Sequence, residues 1–300
     1  MSVHEEPRAS GAGLGEGPGR PCAPRGPPVG MGRTPAAFAG LVLAAATWAG
    51  PAAAYRPFDG TDADVAEEGT FELELGPVGY LRQSSTDALV VPSLVLNQGI
   101  QSDVELVLQT NRLQLLGAAI PGRPPVQYLD TGFFMKHVWR DGGLQDASGP
   151  SLATEAGPLF PTGPGQHAVG AIVTTILSMV TPAATFHFNV APSLTVGRDL
   201  DLFASTIIEG PHRWALRPVT EVYVERDFGL ATTYSWLLGV IWREREGLEL
   251  DAGLRAAEVG GTPVIEGRLG LTWALQLWSD RAPKVEGPAR VMVPRGGAGG

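Results

Sequence analysis

The chain has 300 residues, 22 of them basic and 31 acidic, for a net charge of −9. That balance excludes the basic surface with which proteins neutralise nucleic-acid phosphates, and the single cysteine, Cys22, excludes a disulfide framework or a multi-cysteine zinc site. Only 18% of residues are charged and 44% are hydrophobic, which excludes a disordered acidic chain.

Residues 1–30 are rich in Gly and Pro, show no apolar periodicity, and are expected to form a disordered or artefactual pre-region, with Met31 the start of the working protein. Arg33, the apolar run Ala36–Gly50 and the small residues Pro51-Ala52-Ala53-Ala54 have the order of a secretory signal peptide spanning 31–54, with cleavage expected between Ala54 and Tyr55. Cleavage would remove four Arg and three Glu, leaving 18 basic and 28 acidic residues and no cysteine.

Residues 55–69 carry Asp59, Asp62, Asp64, Glu67 and Glu68, and their spacing is not that of a calcium loop. This segment is expected to be a solvated periplasmic lead-in, with no metal. From Thr70 the chain reads as segments of about ten residues with period-two alternation, broken by Gly, Pro, Asp or Ser. Twelve strands are predicted to start near Thr70, Ala88, Asp103, Gly132, Ser151, Gly170, Ala184, Asp201, Thr220, Tyr234, Leu248 and Val264. Thr110–Asp130, with Pro121, Pro124 and Pro125, is expected to be a surface loop, and Leu113–Leu116 is a candidate plug within it. Ala168–Phe186 has no charge over 19 residues, but its Thr content and the Thr181-Pro182 break predict two strands and a tight turn rather than a membrane helix.

Alternation is clearest at Ile265–Leu277, where Ile265, Leu269, Leu271 and Trp273 oppose Glu266, Arg268, Gly270 and Thr272. An export signal, an even strand count, absent cysteine and aromatics near strand ends (Tyr80, Tyr128, Trp139, Tyr223, Phe228, Tyr234, Trp242) point to a closed antiparallel transmembrane β-barrel of about 12 strands. It is all-β, with the barrel at 70–278 and a disordered tail at 279–300. The alternative is a secreted soluble β-barrel or sandwich that binds a ligand. Arg268-x-Gly270-x-x-Trp273-x-Leu275 resembles the C-terminal insertion signal of bacterial outer-membrane proteins, although the chain continues past Trp278.

The opening Arg56-Pro57-Phe58-Asp59-Gly60-Thr61-Asp62-Ala63-Asp64, followed by Glu68-Gly69-Thr70-Phe71-Glu72-Leu73-Glu74, resembles that of the phenol meta-pathway outer-membrane protein family, often called transporters. Pro150-Ser151-Leu152-Ala153-Thr154-Glu155-Ala156-Gly157, Pro161-Thr162-Gly163 and Thr185-Phe186-His187-Phe188-Asn189 continue the likeness over 56–278. Gly60 and Ala63 depart from the family's opening. The resemblance implies an outer-membrane barrel that admits aromatic or other hydrophobic compounds; it does not imply an enzyme, and none is expected.

His137, His167, His187 and His212 sit in no hydrolase motif, and no Gly-x-Ser-x-Gly elbow is present, so no catalytic residue and no cofactor are expected. The expected function is a narrow passive pore, with Glu72, Glu74, Lys136, His187, Glu221, Glu225, Asp251, Arg255 and Arg268 lining the lumen. A structural barrel with a closed lumen is the alternative. The expected partners are outer-membrane lipid, the barrel-assembly machinery and a small-molecule solute.

Overall fold

The computed structural model describes residues 57–117, 124–163 and 166–278. The expected pre-region, signal peptide and tail lie outside these residues. Twelve strands run in chain order: β1 Thr70–Gln83, β2 Thr86–Gln101, β3 Val104–Leu116, β4 Val126–Arg140, β5 Ser151–Leu159 and β6 Gly170–Val180, then β7 Thr185–Leu194, β8 Leu200–Glu209, β9 Leu216–Asp227, β10 Thr232–Arg245, β11 Leu248–Val259 and β12 Thr262–Gln276. Each pairs antiparallel with its neighbours in sequence, and β1 closes on β12 from Thr70↔Gln276 to Gln83↔Val264. The all-β closed barrel expected from the alternation is therefore present. Closure leaves no unpaired sheet edge, which is what a sheet in hydrocarbon requires.

The two faces of this sheet are dressed in the reverse of a soluble protein. On β9, Val222 and Val224 point outward at 55% and 40% exposure, while Glu221 between neighbouring strands is 1% exposed. Leu238, Leu254, Ile265 and Leu269 are likewise exposed, while Glu72, Glu74, Glu105, Lys136 and Glu249 are buried. A water-soluble barrel or sandwich would place the first group in its core. A continuous apolar exterior around an ionised interior is instead the arrangement that bilayer immersion stabilises. Of the aromatics expected at the rims, Tyr80, Tyr128, Trp139, Phe228, Tyr234 and Trp242 are exposed. Tyr223 is the exception: it is buried and faces inward, where its ring packs at a tilt against Phe203 with the centroids 5.1 Å apart.

The expected 110–130 loop is shorter than its composition suggests. β3 continues to Leu116 and β4 starts at Val126, so Leu113–Leu116 is strand and does not plug the pore. The start of β4 was hidden by a bulge: β4 carries an extra residue at Asp130–Thr131, with Asp130 at φ 51°, opposite the step from Gln109 to Asn111 on β3. An extra residue flips the alternation beyond it, and the period-two signal breaks there. The uncharged 168–186 stretch forms β6, a turn and β7, as its Thr residues and proline predict.

Candidate functional site

The acidic segment before β1 is not a solvated lead-in. It runs inside the barrel, around the inner wall, as a hoop. Arg268 on β12 donates to the Pro57 carbonyl at 2.8 Å, and Phe58 packs on Val219 of β9 and Ile241 of β10. The Asp59 and Gly60 amides both donate to Glu221 of β9, at 2.7 and 2.8 Å. Thr61 N–H then reaches Asn189 of β7 at 3.1 Å, and Ala63 N–H reaches Ser178 of β6 at 2.9 Å. Asp62 pairs with Lys136 of β4, and Ala66 N–H donates to Glu105 of β3 at 2.7 Å. Apart from Asp62, whose side chain reaches ahead to β4, the hoop thus meets the wall in descending strand order before entering β1.

The reason it can stay there is hydrogen-bond accounting. An irregular segment with no ladder partner leaves its amides bare, and a buried bare amide costs about 1–3 kcal/mol. Wall carboxylates and amides take the place of the missing ladder. Gly60 permits the approach, since a Cβ there would run into Ser205 Oγ, and Gly99 does the same where the Ala66 and Glu67 carbonyls pass β2. Ala63 fits a small apolar nest of Val138, Ala153 and Ile176. Gly60 therefore occupies a place where the wall leaves no room for a side chain, and the Ala63 methyl group is fully buried against that nest.

Each residue singled out in the sequence has a definite place. Glu72, Glu74, Lys136, His187, Glu221 and Asp251 are buried; Glu225, Arg255 and Arg268 are half-buried. Glu221, Lys136 and Arg268 anchor the hoop, as described above. Glu74 accepts from Asn97 at 2.8 Å. Arg255 pairs with Glu266 and donates to the Tyr223 hydroxyl at 2.7 Å, and Arg268 bridges Glu266 and Asp59 at 2.9 and 2.8 Å. The alternation put Glu266 on the polar face of β12 without singling it out, and Asn189 and Ser178 were not singled out either, because a polar residue on a strand carries no signal of which distant group it will meet.

His187 joins a chain of a different kind. Its Nδ1 lies 2.8 Å from Ser178 Oγ and its Nε2 lies 3.4 Å from Glu209. These are the residue types of a hydrolytic triad, but Ser178 is fully buried and its Oγ accepts the Ala63 amide. Substrate has no approach to that hydroxyl while the hoop is seated. The chain continues through Arg217, between Glu209 and Glu249, to Arg243. Every charge along it has an opposite partner, as buried charges require.

Within the hoop, Asp64 takes hydrogen bonds from Gln145 at 3.0 Å and from the Val65 amide. Burial, and then the neighbouring Asp62, push its carboxyl up to about 7. Gln145, from the short 3-10 turn Gly143–Gln145 between β4 and β5, also holds the Ala63 carbonyl at 2.8 Å.

Past the hoop, toward the end of the barrel away from the termini, lies a cavity of about 550 Å³. Pro57–Thr61 form part of its wall, with Phe134, Phe203 and Tyr223 supplying aromatic surface. No protein-family model matches the chain, and no curated protein matches it. Among solved structures it is similar to an outer-membrane channel from Pseudomonas putida F1, with 12% identity and a TM-score of 0.54 over 73% of this chain and 99% of that one. The barrel has the fold of an outer-membrane channel. It is also similar to the KdgM porin (TM-score 0.43, 9% identity, 67% of this chain and 98% of that one). A further likeness is to the CymD monoaromatic hydrocarbon channel (TM-score 0.36, 7% identity, 71% and 90%). At these identities the likeness speaks for the fold alone, and the role of the cavity has to be argued from its own residues.

Proposed function

We propose that this protein is an outer-membrane barrel through which small solutes pass passively, by a lumen that its own N-terminal segment narrows. The observation that carries this reading is the cavity of about 550 Å³ enclosed by the strands on the far side of the hoop. Twelve strands stand between an eight-stranded barrel filled by side chains and a sixteen-stranded open channel. The hoop then sets the remaining bore, and wall charges such as Glu74, Glu225 and Arg255 act by lining rather than by catalysis. The resemblance of the opening residues to the phenol meta-pathway family, together with Phe58, Phe134, Phe203 and Tyr223 along the cavity, supports aromatic or other hydrophobic molecules as solutes. The apolar exterior supports outer-membrane lipid as its surroundings. The last-strand pattern supports recognition by the barrel-assembly machinery after export on a cleaved leader.

The test is planar-bilayer recording with purified protein whose folded state is verified by a mobility difference between boiled and unboiled samples. Small, stepwise currents are expected. Their absence would favour the second reading, a structural barrel with a closed lumen, which the density of wall-to-hoop hydrogen bonds supports.

A further inference from the structure

Beyond the hoop the cavity wall changes character. Eight carboxylates line it against three basic side chains, Lys136, Arg255 and Arg268. All three bases are engaged: Lys136 with Asp62 and Glu105, Arg255 with Glu266, and Arg268 with Asp59 and Glu266. Farther out the wall carries Asp130, Asp201 and Glu225, and among the described residues no basic side chain forms an ion pair with any of them. Asp201 stands directly opposite Asp227 across β8 and β9, a like-charge pairing that destabilises a sheet. Its Oδ1 is shielded and has no hydrogen-bond partner, while Ser193, directly opposite on β7, and the Leu202 amide hydrogen-bond the carboxyl.

An independent feature lies in the same wall. Phe203 stands opposite Glu225 in register, and its ring packs against that of Tyr223, two residues before Glu225 on the same strand face. Carboxylates without counter-charges beside aromatic surface are the complement of an alkylammonium group: the carboxylates meet the charge and the rings meet its polarised methylenes or an attached apolar body. An inorganic anion would find no free donor of positive charge there, whereas an ammonium group on an aromatic body would meet both the carboxylates and the rings.

We propose that the far half of the cavity is a subsite for small organic cations, with Asp201 and Glu225 supplying the charge and Phe203 and Tyr223 the apolar wall. It rests on the reading of the lumen as a solute path and gives that path a substrate class. The test is calorimetric titration of the folded, detergent-extracted protein with benzylammonium and with benzoate, which share a ring and differ in the sign of their charge. Saturable binding of benzylammonium and none of benzoate is expected. An Asp201→Asn, Glu225→Gln double variant is expected to bind benzylammonium about tenfold more weakly, and Phe203→Leu roughly threefold more weakly. Equal binding of the two probes, binding of neither, or an unchanged double variant would overturn the subsite. If the double variant does not fold, the comparison of the two probes on the unaltered protein decides alone. Calorimetry reads binding without transport, so a protein that binds benzylammonium but carries no current refutes the pore, and one that conducts but binds neither probe refutes the subsite.

Discussion

Glu221 on β9 and Gly60 in the hoop are joined by a 2.8 Å hydrogen bond across 161 residues of sequence, and the same carboxylate holds the Asp59 amide with its second oxygen. One side chain thus satisfies two consecutive backbone donors that have no strand to pair with. Glu221→Ala is expected to cost the hoop about 1–3 kcal/mol of anchoring. Single-channel recording should show larger or noisier currents than the unaltered protein, while the boiled-versus-unboiled mobility difference persists. Unchanged conductance would mean that the hoop does not limit the bore.

Lys136 compensates two carboxylates, Asp62 at 3.3 Å and Glu105 at 3.5 Å, in a place where all three are nearly sealed from solvent. Breaking a buried pair by removing one member costs about 3–5 kcal/mol, because the other charge stays behind. Lys136→Met should therefore lower the urea midpoint of the folded barrel well below that of Lys136→Arg, measured by loss of the unboiled band.

The pH dependence of the hoop follows from Asp64. Its carboxyl is raised from 3.8 to about 7, so the folded arrangement favours the protonated form. The stabilisation is complete below the unfolded value and is lost as pH rises through about 7. Protease should accordingly clip the 57–69 segment faster at about pH 8 than at about pH 5, after correction for the protease's own pH profile. Asp64→Asn should remove most of that difference, and an equal pH response in the variant would show that another group governs it.

The lipid-facing surface makes the opposite demand. Leu254 is 70% exposed and lies in the middle of β11. On a water-soluble barrel Leu254→Arg would be nearly neutral. In a bilayer it should cost about 2–4 kcal/mol near the midplane, read as a reduced folded fraction after refolding into lipid vesicles. The same substitution in detergent micelles should cost less.

Much of the barrel was legible because strand alternation is a local signal. Leu250 beside Asp251, or Leu269 beside Arg268, declares two faces within a few residues. Two places defeated it for physical reasons. The bulge at Asp130–Thr131 shifts the period of β4 by one and made its start look like loop. Tyr223 looked like a rim aromatic, but its parity with Glu221 and Glu225 turns it into the lumen, where Arg255 meets its hydroxyl.

The amino-acid order by itself determined that this chain forms a closed sheet with greasy and ionised sides, since period-two patterning needs nothing but neighbours along the strand. Where the ionised side directs its hydrogen bonds was decided only by the tertiary structure. Asp59, Asp62 and Asp64 read as a solvated acidic run until the wall closes around them, because the groups that hold this segment lie between 39 and 211 residues away and converge only when β1 meets β12. No local pattern encodes such a meeting. It arises because a closed barrel brings every strand's inner face to one shared axis, and the segment that enters it finds its missing hydrogen-bond partners there.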